Sequence, residues 1–208
     1  MALLLLIRHG MTDQTGKRLY GTSPGIRLSD EGRRQAEHLV HRLDGLSLGA
    51  LYSSPLERCR ETIEPLARHL DLVPTDLDEV REVEYGELTG TAFEELRRLP
   101  LWRRAEVAPS SVRFPGGETL GEVQQRAVAA LAEVAERHRG SAVGVVTHGD
   151  VIRLALAHHA GIHLDLYRRL EVDPASVSAV TIDRGGSRVV RVNDTGRMDD
   201  LADYTGSR

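Results

Sequence analysis

The chain has 208 residues, 40% hydrophobic and 28% charged, with a formal net charge of −4. That is enough to bury a core in an ordinary globular protein, and it excludes a global positive field that would gather nucleic acid or an anionic membrane. One cysteine, Cys59, excludes an internal disulfide and a multi-cysteine zinc site, so a reducing, cytoplasmic setting is the simplest inference.

The chain opens on "LLLLIRHGMT", Leu3 to Thr12. The apolar run is too short for a signal peptide and no small-residue cleavage site follows, so Ala2–Ile7 reads as a central parallel strand. A Gly-rich loop, "GKRLYGTSPGIRLSDEG", leads to Ser29, a helix N-cap, and a helix to about Leu43. "GALYSS" is a second strand. Pro55 opens the helix "PLERCRETIEPLARHL", in which Pro65 allows a kink. Residues 71–91 read as irregular, "AFEELRRL" as a short helix, and 100–117 as a Pro/Gly-containing excursion. A long amphipathic helix is expected from about Glu118 to His138. "SAVGVV" is a third strand and "DVIRLALAHH" a helix; "SAVTID" and "RVVRVN" are further strands, and a polar tail begins at about 195. No segment approaches the length of a membrane span.

Alternating strands and helices predict an α/β fold. We expect one domain over 1–208, a three-layer α/β/α sandwich with a mostly parallel central sheet and a small cap from the 83–117 region. Ligands in such folds bind beyond the carboxyl ends of the strands. Three apolar strands here end in Arg8-His9-Gly10, in Ser53-Ser54 leading to Arg58, and in Thr147-His148-Gly149. If they are neighbours, two arginines and two histidines converge on one crevice. Paired guanidinium forks suit phosphate. Gly10 and Gly149 allow close backbone approach. A neutral imidazole among such groups can attack phosphorus, while the same positive charges stabilise the phosphoryl oxygens in transit. The carboxylates of "REVEYGE" are the best supply of an acid for the leaving group.

"LIRHGMT", "SSPLERCRET", "REVEYGELTG", "FPGGET" and "VVTHGDVIR" resemble, in that order, the motifs of the histidine phosphatase superfamily, the phosphoglycerate-mutase-like proteins, over roughly residues 3 to 155. The resemblance implies that His9 becomes phosphorylated, Arg8 and Arg58 bind the phosphoryl group, His148 contacts it, and Glu82 donates the proton. It also implies that no metal or organic cofactor is needed, and that a homodimer could form through a sheet edge. Met11 and Thr15 depart from the glutamate and asparagine common in the family, which places the outer phosphate contacts in question. Glu82 and His148 are 66 positions apart, which looks more like the compact phosphatase branch than the mutases.

The reading is a phosphomonoester hydrolase acting through a phosphohistidine on a small phosphorylated metabolite. The alternatives are a phosphoglycerate-type mutase and a non-catalytic phospho-ligand binding protein. Gly10, Thr15, Gly21, Thr22 and Gly149 are candidate substrate contacts, as are Arg103 and Arg104 of "RRLPLWRR". Other features read as bland. Cys59 lacks the arginine spacing of a thiolate phosphatase and reads as a buried, inert thiol. His158, His159 and His163 lack the glutamate of a zinc helix, so no metal site is expected. The short basic segment is a poor nucleic-acid patch on an acidic protein.

Overall fold

The computed structural model describes residues 1–196. Six strands form one sheet: β1 (Ala2–Arg8), β2 (Leu48–Ser53), β3 (Thr75–Asp76), β4 (Ala142–Thr147), β5 (Val177–Asp183) and β6 (Gly186–Asp194), in the order β3-β2-β4-β1-β5-β6. β1 to β4 run parallel, β5 runs antiparallel to β1, and β6 runs antiparallel to β5. The three strands expected to carry the site are therefore adjacent.

The continuous apolar run of β1 is explained by its two packed faces. Successive side chains of a strand alternate. Leu4 and Leu6 join a core with Val123, Leu131 and Ile152 from α5 (Leu120–Arg137) and α6 (Gly149–His159). Leu3, Leu5 and Ile7 join a second core with Leu39 and Leu66 from α1 (Asp30–Arg42) and α2 (Glu57–Leu70). Helices thus cover both faces of the sheet, giving the expected three layers.

The helix signals hold at their ends. The Ser29 side chain accepts the Gly32 N–H at the start of α1, and Thr119 and Glu122 form a reciprocal capping box at the start of α5. Helix α2 continues through Pro65, and Asp71 ends it in the left-handed conformation. Residues 71–91 hold only the two-residue β3 and two 3-10 turns.

One expectation is corrected. The segment 100–117 is not all excursion: after the short α3 (Phe93–Leu96), residues Pro100–Val107 form α4, burying Trp102 and Ala105. Pro100 sits in the first helical turn, where its missing N–H would have had no partner, so a residue read as a breaker is here a starter. The polar tail, past Gly196, lies outside the described residues.

Gly32 fixes how closely α1 approaches the loop after β1. A Cβ there would stand 2.0 Å from the Met11 carbonyl oxygen. Helix propensity alone would favour alanine by about 1 kcal/mol, but the clash reverses the sign. Gly32→Ala is expected to destabilise the protein by about 1–3 kcal/mol, read as a lower urea midpoint at unchanged slope.

Candidate active site

The sheet register brings the three strand tips level. Arg8 pairs with Thr147, and Ile7 and Ser53 both pair with Val146. The next residues, His9, Ser54 and His148, leave the sheet together at its carboxyl edge. His9 N–H donates to the Thr147 carbonyl at 2.9 Å, which ties the two histidine-bearing tips to each other.

His9 is buried, and its Nδ1 lies 2.8 Å from the Gly10 carbonyl oxygen. A carbonyl only accepts, so Nδ1 carries the proton and Nε2 keeps the lone pair. Burial, then Arg58 and Arg8, hold the His9 pKa well below its ordinary value. The ring is therefore neutral, and one backbone contact sets its lone pair on Nε2. Thr62 accepts the Gly10 N–H at 3.0 Å, and a Cβ at Gly10 would lie 2.7 Å from the Gly32 carbonyl oxygen. Gly10 thus serves backbone packing on α1.

His148 is also buried, its ring centroid 5.4 Å from that of His9 in an edge-on arrangement. Arg58 Nη2 is 3.1 Å from His148 Nδ1, and a guanidinium only donates. Nε2 consequently carries the proton and donates to Ser54 Oγ at 2.8 Å. Burial and Arg58 hold the His148 pKa far down as well. Cys59 Sγ sits 3.6 Å from the same Nε2, and burial pushes its thiol up to about 12, so it packs against the site as an inert group.

Arg58, on the first turn of α2, is fully buried and is held by the Gly21 carbonyl at 2.8 Å and the face of Tyr20 at 4.8 Å. Arg8 Nη1 donates to the Val172 carbonyl at 2.7 Å. The Nε atoms of both arginines and Nη1 of Arg58 are buried without an acceptor. Buried donors in native proteins are almost always paired. Three such guanidinium nitrogens near a neutral imidazole have the chemistry to suit an anion with several oxygens.

Glu82 is nearly buried, with Oε2 4.0 Å from His148 Nδ1 and Oε1 accepting the Val83 N–H. Burial and the neighbouring Asp150 raise its pKa to about 7 against the pull of Arg58. Burial also opposes the ionisation of Asp150, but Arg153, Arg168 and the Tyr85 hydroxyl outweigh it and keep Asp150 below the ordinary carboxylate range. Asp150 accepts from Tyr85 Oη at 2.7 Å and from Arg153 Nη1 at 3.1 Å. Two nearby carboxyls are thereby separated into a proton carrier and a fixed anion.

A cavity of about 130 Å³ opens onto Arg8, His9 and Glu82, and Thr15, Gly21 and Gly149 also line it. Thr22 is not part of its wall. Arg103 and Arg104 are not brought to it either: on α4 they bond to the Arg98 carbonyl and Ser111. Its remaining wall includes Arg18, Tyr20, Tyr85, Phe93, Asp150 and Arg153, none of which was singled out from sequence. Asp150 and Arg153 had a readable signal, since they follow His148 on the helix at the strand tip; Arg18, Tyr20 and Phe93 had none.

Residues 4–195 match the model of the histidine phosphatase superfamily, branch 1. Phosphoserine phosphatase 1 of Hydrogenobacter thermophilus is 30% identical over 94% of this chain and 93% of its own length. Phosphoglycerate mutase-like protein 4 of Arabidopsis thaliana is 32% identical over 73% of this chain and 68% of its own. Among solved structures, Bacillus stearothermophilus YhfR superposes with a TM-score of 0.88 at 28% identity, covering 94% of this chain and 98% of that one. The chain belongs to the histidine phosphatase superfamily. Its phosphatase-named relatives mark it as a phosphatase enzyme, in a family that also holds mutase-like proteins.

The tautomers are open to direct measurement. Long-range ¹⁵N–¹H spectra at pH 6.5 are expected to show His9 protonated on Nδ1 and His148 on Nε2, both neutral, where an ordinary imidazole is about half protonated. Since both pKa values are depressed, both rings are expected to stay neutral further into acid than an ordinary imidazole.

Proposed function

We propose that this chain hydrolyses a compact phosphomonoester through a phosphohistidine on His9, with Glu82 as acid and then base. The observation that carries the reading is the set of buried, unpaired N–H groups of Arg8 and Arg58 beside the lone pair of His9. His9 Nε2 attacks phosphorus, and the ester P–O bond breaks. The Glu82 carboxyl gives its proton to the departing alkoxide. The phosphorylated ring keeps its Nδ1–H on the Gly10 carbonyl, while Arg8, Arg58 and His148 surround the transferred group. Water then attacks as Glu82 takes its proton, the P–N bond breaks, and inorganic phosphate and neutral His9 are restored.

The cavity's wall favours a substrate whose remainder is itself anionic: Arg18 is a further cation there, beside Arg153, which is already paired with Asp150. A phosphorylated three-carbon acid such as phosphoserine or phosphoglycerate fits that description, and a relative across nearly the whole chain is named a phosphoserine phosphatase. No described helix is long and apolar enough to cross a membrane. The single buried free thiol agrees with a cytoplasmic setting.

Phosphorus NMR with phosphoserine and phosphoglycerate, with a trace of the bisphosphorylated acid, tests the reaction. Growth of inorganic phosphate is expected, with His9→Ala lowering turnover by at least about 10⁴-fold, since no other nucleophile replaces it. Accumulation of the positional isomer of phosphoglycerate with little free phosphate would overturn hydrolysis in favour of a mutase. The pH profile follows from Glu82: with its acid form required and its pKa raised to about 7, kcat/KM for an alkyl phosphate should fall about tenfold per unit above that pH. A flat profile from pH 7 to 9 would remove Glu82 from the acid role.

A further inference from the structure

Glu82 sits on a segment, residues 77–85, with little regular structure of its own, only one 3-10 turn. A proton donor must nonetheless be held to within a fraction of an ångström of its target. What holds this one is a side chain from the far layer. Arg126 projects from α5, and its guanidinium reaches three carbonyls of the acid-bearing segment: Glu79 at 2.5 Å, Arg81 at 2.9 Å and Glu82 itself at 3.2 Å. The other edge of the same fork grips Glu118, with Nε and Nη2 each 2.9 Å from a carboxylate oxygen. Glu118 in turn accepts the Glu84 N–H on Oε2 at 3.0 Å and donates its own N–H to the Glu84 carbonyl at 2.9 Å.

Both side chains are shielded, at 16% and 15% exposure, so the pair is not a solvent-screened surface bridge. The five donors of a planar guanidinium suit this fan of acceptors, and an ammonium could not span it. The backbone beneath leaves no slack. A Cβ at Gly86 would lie 2.0 Å from the Pro115 carbonyl oxygen, and one at Gly117 would lie 2.2 Å from that of Glu84. The segment is therefore stapled to the 115–118 turn from below and clamped by Arg126 along its carbonyls.

We propose that Arg126, braced by Glu118, is the positioning residue of the proton donor: it never touches substrate but fixes the backbone from which Glu82 reaches the leaving group. The inference rests on the reading of Glu82 as the acid.

The test separates positioning from mere structural support by leaving group. An alkyl phosphate needs protonation of its leaving oxygen, whereas p-nitrophenyl phosphate, with an acidic phenol, needs little. kcat/KM, which reports the phosphorylation step, is compared on phosphoserine and p-nitrophenyl phosphate for the native protein, Glu82→Gln, Arg126→Met and Arg126→Lys. Arg126→Met is expected to lose about a hundredfold on phosphoserine. That loss should exceed its loss on the aryl ester by at least about tenfold, the same signature as Glu82→Gln. Arg126→Lys keeps the ion pair with Glu118 but not the fan of carbonyl bonds. It is expected to show the same selectivity with a melting temperature near the native one, and it decides the matter should Arg126→Met fail to fold. Equal losses on both esters, or no loss, in Arg126→Lys would overturn the clamp while leaving the phosphatase reading intact. A native protein that turns over neither ester would overturn both.

Discussion

The structure is organised around two arginines whose charge is buried while part of their hydrogen-bonding capacity faces no protein acceptor. Removing a cation from water without pairing it is among the most expensive arrangements a fold can hold. Arg58 has no exposed surface at all. Its Nη2 is satisfied by the Gly21 carbonyl and His148 and its plane by Tyr20, while Nε and Nη1 are buried without an acceptor. An anion with several oxygens suits such donors, because a ligand that cannot accept them leaves the desolvation uncompensated.

The surrounding ionisable groups take their states from that field. Both histidines are kept neutral by burial and the adjacent guanidinium charge. One carbonyl contact turns the lone pair of His9 to Nε2, and the Arg58 contact turns that of His148 to Nδ1. The carboxyls separate because their surroundings differ: Asp150 is bound by Arg153 and the Tyr85 hydroxyl, and its negative charge then works with burial to keep the proton on Glu82. A neutral imidazole and a protonated carboxyl thus coexist near neutral pH, and an isolated histidine or glutamate would favour neither state as strongly.

Much of this was legible in the chain. Unbroken apolar runs marked β1 and β4 as strands covered on both faces, and the polar residues at their ends marked the carboxyl edge where ligands bind. Ser29 announced the helix it caps. Helix α4 was hidden because Pro100 reads equally as the end of one element and the start of another, and only the burial of Trp102 and Ala105 decides between them. Arg103 and Arg104 looked suited to the substrate because they lie close in sequence to the cap. Rotation about α4 instead turns them to the Arg98 carbonyl and Ser111. Arg126 drew no attention because an arginine on an amphipathic helix normally belongs to the solvated face. The carbonyls it bonds lie more than forty positions away in the chain.

By itself, then, the sequence determined the layered α/β architecture and which polar residues gather at the carboxyl edge of the sheet. Both are written in local patterns: two-sided apolar strands, capping residues, and short motifs at strand ends. The tertiary structure alone decided which guanidinium N–H groups are left without partners, which imidazole nitrogen holds the lone pair, and how Glu82 keeps a proton near neutrality. It also decided how small the cavity is and which cations line it. Those properties depend on dielectric surroundings and on contacts across tens of residues, and neither is carried by any one stretch of chain.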